Sequence, residues 1–291
     1  MAPRLTIRKT HKLFIGGRFP RSESGRYLTV MNPSQPGEST QLCHASRKDL
    51  REAVGAARKA LPAWSGASAH LRGQILYRAA EMLESRAAAV TAEALVAAGI
   101  DPEPARAEVD TAVDRLVYYA GWTDKLPQAF GTVNPVASPH FNFTLPEPTG
   151  VVVLFAPAAP PLLAAVDLIA SVLAAGSTCV AVVPAAAGLV AAPLGEVLAT
   201  SDLPAGAVNL LTALPAELAP WAAGHMDVNA ILDASAEPDL KTVFANGASH
   251  NLKRVHHIHR SPAEWFDERC KNPSTILAAL EYKTAWHPTG V

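Results

Sequence analysis

The side chains best suited to chemistry here are a histidine run, three scattered cysteines and a pair of carboxylates in an otherwise apolar stretch. His256, His257 and His259 form the run HHIH. On an extended strand His257 and His259 share a face while His256 points the other way, so at most two ligands converge locally. No Asp, Glu or Cys stands at ligand spacing beside them, so the run reads as a histidine-rich surface or interface strand and no metal site is expected. Activating a cysteine needs a base or an electropositive setting. Cys179 lies in an apolar run and is expected to be inert. Cys270, in DERCKNPS, has Arg269 and Lys271 beside it, but no other group there completes a site, and it reads as an exposed structural cysteine. Asp167 and Glu196 are the only carboxylates between Val151 and Ser201. They fall on different predicted helices and read as exposed helix-face charges rather than an acid/base pair.

The segment EPTGVVVLFAPAAPPLLAAVDLI, residues 147–169, has the order of a buried strand, a tight loop and a helix entry. Such a loop holds phosphates or an active-site group when glycines, hydroxyls or amides line it. Here it is Ala156, Pro157, Ala158, Ala159, Pro160 and Pro161, with no polar side chain, and the two later prolines remove backbone donors. No G-x-G-x-x-G and no P-loop follows any predicted strand. Bound nucleotide is therefore not expected.

These features sit on a legible pattern of elements. The opening KLFIGGRFPRSESGRYLTVMNPSQPGES predicts a hairpin or meander, with turns at Gly16-Gly17, Ser24-Gly25 and Pro36-Gly37. Ser46 with Asp49 predicts a helix start ahead of the stripe Leu50, Val54, Ala57 and Leu61. A second helix runs from about Ala69 with Leu71, Ile75, Ala79 and Met82 on its core face. A third follows Pro102 with Val109, Val113, Leu116, Val117 and Ala120. From Gly150 the pattern becomes alternating strand and helix, with strands expected at Val151–Phe155, Thr178–Val183, Val208–Leu211 and Val228–Leu232. That order predicts a parallel sheet with crossovers. Before it, Phe141, Phe143 and Leu145 alternate with polar residues as in a half-exposed strand; after it, the tail from Leu252 reads as strand, helical turn, strand. The expected fold is α/β: a Rossmann-like parallel-sheet domain with N-terminal helices and attached β arms.

With 49% hydrophobic and 18% charged residues over 291 positions, the chain has the composition of a globular protein. A formal charge of −1 gives no reason to expect nucleic acid or acidic lipid. The basic start with Arg4, Arg8, Lys9 and Lys12 lacks the apolar segment of a signal peptide. Three widely spaced cysteines suit a reducing cytoplasm better than a disulfide scaffold. Leu168 to Gly195 carries no charge, but Gly176, Pro184, Gly188 and Pro193 interrupt it, so it reads as sheet core rather than a membrane span.

The stretches EPTGVV (147–152), LPAGAVNLLT (203–212) and YKTAWHPTG (282–290) occur in the order in which similar stretches occur in the aldehyde dehydrogenases. KLFIGGRFPRSESGR and LKRVHHIHRSPAEWFD also resemble parts of that family. The resemblance covers nearly the whole chain and implies an NAD(P)-dependent oxidoreductase ancestry. It also identifies the cofactor and oxyanion positions. The family's Pro-Trp-Asn-Phe-Pro loop would place its Trp at Ala158 and its oxyanion-binding Asn at Ala159, a loss of about 3–4 kcal/mol at the transition state. Its ribose-binding Lys and Glu would fall at Val183 and Ala186, each worth about 1.5–3 kcal/mol as a charged hydrogen bond. Its Gly-Ser-Thr-Glu matches Ala234, Ser235, Ala236 and Glu237, of which Ser235 and Glu237 survive.

Within the 291 residues no Glu-Leu-Gly-Gly and no Gly-Gln-x-Cys motif occurs. The thiolate on which the family's oxidation depends is thus missing, and Cys270 lies in tail-like surroundings. The shape most resembles the short non-catalytic carboxy-terminal part of the two-part family-sixteen aldehyde dehydrogenases. The resemblance implies a degenerate NAD-binding-type domain over residues 1–131 plus 149–251, a β oligomerisation arm over 132–148 plus 252–291, and no catalytic domain. The arm positions would be Phe141, Phe143, Leu145, Ile276, Leu277, Leu280, Tyr282 and Trp286. A pseudoenzyme subunit that partners a full-length aldehyde dehydrogenase, or itself, is the expected function. The alternatives are a weak NAD(H) sensor and an enzyme with residual chemistry at Cys270.

Overall fold

Ser46 and Asp49 start the first long helix, as their spacing predicts. The Ser46 hydroxyl accepts from the N–H groups of Lys48 and Asp49, and the Asp49 carboxylate accepts from Ser46 N at 2.7 Å. The same carboxylate takes the Ser22 hydroxyl at 2.6 Å, which pins the preceding turn to the helix. A computed structural model describes residues 10–31 and 39–290; Arg4, Arg8, Lys9 and the turn at Pro36-Gly37 lie outside them. The opening meander comprises β1 (Thr10–His11), β2 (Tyr27–Met31) and β3 (Ser39–Cys43), in the order β1-β3-β2. Four helices follow: α1 (Arg47–Gly66), α2 (Ala69–Met82), α3 (Ala88–Ala97) and α4 (Pro102–Ala120). A short α5 (Leu126–Phe130) leads to β4 (Thr132–Asn134) and β5 (His140–Pro148). Leu71 and Val117, expected on core stripes, are exposed on α2 and α4. The buried stripes of those helices are narrower than the apolar ones.

The central sheet alternates with helices: β6 (Val151–Phe155), α6 (Leu163–Ala174), β7 (Thr178–Val183), α7 (Ala191–Ala199), β8 (Val208–Thr212), α8 (Pro215–Gly224), β9 (Ala230–Asp233), α9 (Pro238–Ser249) and β10 (Arg254–His257). Its order is β10-β9-β6-β7-β8 and every pairing is parallel. Strands β6 to β9 are buried throughout, so helices must cover both faces. Helices α1, α8 and α9 pack on Val151, Val153 and Phe155. Helices α2, α4, α6 and α7 pack on Val152 and Leu154. The chain near Phe14 extends the sheet past β8, exchanging backbone hydrogen bonds with Leu210. Asn209, fully buried, accepts from Gly16 N and donates to the carbonyls of Cys179 and Gly206, so the LPAGAVN stretch joins the meander to the sheet.

After β10 the chain forms short helical turns, α10 (Ser274–Leu277) and β11 (Leu280–Pro288), which pairs antiparallel with β5 over nine positions. The arm is thus the sheet β11-β5-β4. Two expectations are corrected. The boundary at residue 252 is misplaced, because Arg254–His257 is a strand of the central sheet beside β9. Ile276 and Leu280 are buried within the chain, so neither is presented to a partner, while Leu277 is partly buried against the same core. Arg254 fastens the arm to the sheet: it donates to Leu280 O at 2.7 Å and to Glu281 Oε1 at 2.5 Å, and it also reaches the Thr149 hydroxyl.

Asp167 is the largest departure from expectation. It is fully buried on α6, where Arg260 donates to its Oδ2 at 3.0 Å and Arg115 lies 3.8 Å from its Oδ1. Burial pulls the Asp167 carboxyl above its usual range, while Tyr119, Arg115 and Arg260 act in the opposite sense. The sequence suggests an exposed charge because its partners come from α4 and from beyond β10, and only folding brings them over α6. Arg115 also donates to Trp265 O at 2.9 Å, and Arg260 stacks on the Trp265 ring. Removing one member of a buried charge cluster leaves the others uncompensated. Asp167→Ala is expected to lose about 3–5 kcal/mol, measured as a lowered urea midpoint; a loss under about 1 kcal/mol would show that the arginines find other partners.

Candidate functional site

In a parallel sheet the functional crevice lies beyond the carboxyl ends of the strands. Strands β9, β6 and β7 are neighbours, so the loops that leave them form one continuous rim. The cofactor and oxyanion positions that the resemblance identifies fall on or beside this rim. Ala158 and Ala159 are exposed in the loop after β6. Val183 is buried at the end of β7, and Ala186 is exposed in the 3-10 turn Ala185–Val190. Ala234 is buried just past β9, with Ser235 and Glu237 half-buried after it. Among these only Ser235 and Glu237 offer polar side-chain atoms.

Of the two surviving polar side chains, that of Ser235 is engaged internally. The Ser235 hydroxyl donates to Asp233 Oδ1 at 2.6 Å and accepts from Glu237 N at 3.3 Å. Burial raises the Glu237 carboxyl, and the charges of Asp233 and Asp239 add to the shift. Ala236 between them has φ of 60°, a left-handed conformation that costs an L side chain about 1–2 kcal/mol. The helix entry after β6 is also occupied from within. Glu108, buried on α4, accepts from Leu162 N at 2.7 Å and from Leu163 N at 3.0 Å. Burial raises its carboxyl despite those two bonds. The N–H groups that could have faced a phosphate therefore face a carboxylate of the chain itself.

Sequence reasoning did not find Glu108 or Asp233, because no local spacing links them to the loops they serve. Asp233 also explains part of the histidine run. His257 Nδ1 lies 2.9 Å from Asp233 Oδ2, and the His257 and His259 rings are stacked 6.2 Å apart on a shared face, as their spacing predicts. The pair supplies a carboxylate-oriented imidazole at the rim, a unit capable of accepting or donating a proton. Among the described residues no group of three or more His, Cys, Asp or Glu is placed to hold a metal ion. Cys179 is buried, with its thiol pushed well above the usual range by burial. The Cys270 thiol donates to Glu264 O and is part-buried rather than exposed.

Two consequences can be measured. Ala236→Gly relieves the left-handed strain and is expected to raise stability by about 0.5–1 kcal/mol, read as a higher denaturation midpoint; a neutral or lowered midpoint would contradict the strain. His256 has a buried Nε2 without a hydrogen-bond partner, and its pKa lies below 6.5 because of burial, with Arg254 and His257 adding to it. The unfolded state then binds the proton first, so this contribution is intact above pH 6.5 and is lost as pH falls through that value toward the lower folded pKa. The stability of His256→Gln is expected to vary less between pH 7.5 and 6; an unchanged slope would assign the loss elsewhere.

The family model "Aldehyde dehydrogenase family" matches residues 19–257. Aldehyde dehydrogenase, cytosolic 1, of Elephantulus edwardii is 29% identical over 289 residues, which are 98% of this chain and 55% of that protein. Cytosolic 10-formyltetrahydrofolate dehydrogenase of Homo sapiens is 31% identical over 255 residues, 86% of this chain and 28% of that one. Among solved structures, PnpE in complex with nicotinamide adenine dinucleotide superposes with a TM-score of 0.80 at 27% identity, over 85% of this chain and 50% of that chain. A putative aldehyde dehydrogenase from Burkholderia cenocepacia gives 0.77 at 29%, again over 85% and 50%. The chain spans about half the length of the aldehyde dehydrogenases it matches. Sheet order and family match agree: the chain belongs to the aldehyde dehydrogenase family.

Proposed function

We propose that this chain is a non-catalytic aldehyde-dehydrogenase-like subunit that assembles with a full-length aldehyde dehydrogenase through its β arm and stabilises or positions it. The observation that carries the reading is the apolar face of the arm. Phe141 and Leu145 are 46% and 40% exposed on β5, and Val133 beside them on β4 is 68% exposed. With Phe143 and Pro127 they line an open groove of about 340 Å3. The register puts Tyr282 and Trp286 on the opposite face, across from Pro146 and Asn142, where Asn134, Asn142, Thr144 and Thr284 form a hydrogen-bonded ladder. The outer side of β11 is a nine-residue sheet edge, a ready template for strand addition.

Loss of chemistry at the rim supports the non-catalytic part. The oxyanion and ribose positions carry Ala159, Val183 and Ala186, Cys43 and Cys179 are buried, and the Cys270 thiol donates to Glu264 O. Free cysteines suit a reducing compartment such as the cytoplasm. No helix among the described residues is long and apolar enough to cross a membrane. A second reading, a weak NAD(H) sensor, is favoured by one observation: PnpE, with a similar fold, was solved with nicotinamide adenine dinucleotide.

Native mass spectrometry of the chain mixed with a full-length aldehyde dehydrogenase from the same host is expected to show a complex of fixed ratio. Phe141→Asp with Leu145→Asp should weaken it at least tenfold while the melting temperature stays near that of the parent. A chain that remains apart from the enzyme would overturn the subunit reading, and a saturable tryptophan response to NAD would then favour the sensor.

A further inference from the structure

On the face of the central sheet opposite α6, α1 and α8 leave a groove of about 510 Å3 between them. Its walls are Arg47, Lys48 and Arg51 from α1, and Pro220, Trp221 and His225 from the end of α8. We propose that this groove is a binding site for a small planar aromatic anion, with its ring against Trp221 and Pro220 and its acid group on Arg47 and Arg51. The site is separate from the rim loops and independent of the subunit reading.

The charge balance of the surroundings carries the argument. The chain has 25 Lys and Arg against 26 Asp and Glu, yet no carboxylate lines the groove. The acidic groups nearby already have cations: Glu23 binds Lys48 at 3.1 Å, Glu217 binds Arg26 at 2.8 Å, and Asp227 lies 3.8 Å from Arg58. Arg47 and Arg51 have no carboxylate within ion-pair distance among the described residues. Two guanidiniums at successive turns of one helix face repel each other unless an anion lies between them. The start of α1 cannot serve as the anion site itself, because Ser46 caps its first N–H groups.

The apolar half of the groove is equally specific. Trp221 is 49% exposed, and Arg47 lies 5.1 Å from its ring centroid. A ring that packs against the indole is held beside a cation that also meets its acid group. Asp227 N donates to His225 Nδ1 at 3.2 Å, which places the His225 proton on Nε2 and makes that nitrogen a donor. Burial, followed by Asp227 acting in the opposite sense and then by Lys253, Arg58 and Arg51, leaves the His225 pKa below its usual value, so it stays neutral at pH 7. The volume suits a one- or two-ring ligand.

Isothermal titration of the full chain with 2-naphthoate tests the assignment. One site per chain is expected, with 2-naphthylmethanol, which lacks the charge, and cyclohexanecarboxylate, which lacks the flat ring, binding at least tenfold more weakly. Arg51→Glu and Trp221→Ala alter exposed side chains, and each is expected to weaken 2-naphthoate binding at least tenfold with an unchanged melting curve. Excess NAD should leave the affinity unaltered. Absence of saturable binding at millimolar 2-naphthoate would overturn the proposal. So would binding that survives both substitutions, or that NAD displaces, since either places the ligand elsewhere.

Discussion

One buried carboxylate, Asp167, decides where the last part of the chain lies. Arg115 comes from α4 and Arg260 from the segment after β10, and Asp167 on α6 is the anion between them. Removing such groups from water costs several kcal/mol each, so they are tolerable only when held together. Once Arg260 and Trp265 are docked there, the chain is committed to cross the outer face of α6. It then runs through α10 to the start of β11. Ile276 and Leu280 are buried as a result, and the arm leaves the body of the protein from a fixed point.

The rim of the sheet separates residues that the fold demands from residues that it does not. Gly150 has φ of 122°, and a Cβ there would run into Asn229, whose Oδ1 accepts from Val151 N at 3.0 Å. Asn209 similarly satisfies three backbone groups around β8. These demands are geometric, and the stretches that contain Gly150 and Asn209 are the ones that carry the family resemblance. Ala158, Ala159, Val183 and Ala186 answer to no such demand. A loop keeps its course with alanine in it, provided its backbone donors are met, and Glu108 meets two of them.

Strands β6 and β7 were readable to the residue because apolar, β-branched runs bounded by Gly and Pro have few alternatives. The capping box at Ser46 was equally plain. The resemblance places residues 252–291 in the arm, yet Arg254-Val255-His256-His257 is an edge strand of the central sheet; its apolar content is low, and an edge needs less. Asp167 departs from expectation for a different reason. Helical periodicity tells which face is apolar but not whether something covers the other one. The arm posed a third problem: Phe141, Phe143 and Leu145 were grouped with Tyr282 and Trp286, but which residues share a face depends on strand register, and register appears only once β5 and β11 are paired.

The attachment of the arm through Arg254 gives the molecule a mechanical property. Arg254 stands two positions before His256 and three before His257, in the strand whose far end reaches Asp233, and its guanidinium grips Leu280 and Glu281 at the root of β11. A β-ribbon clamped in this way moves as a lever rather than a loose tether. Torque applied at the tip of β11 would be delivered to the outermost strand of the central sheet, next to the crevice that the family uses for its chemistry.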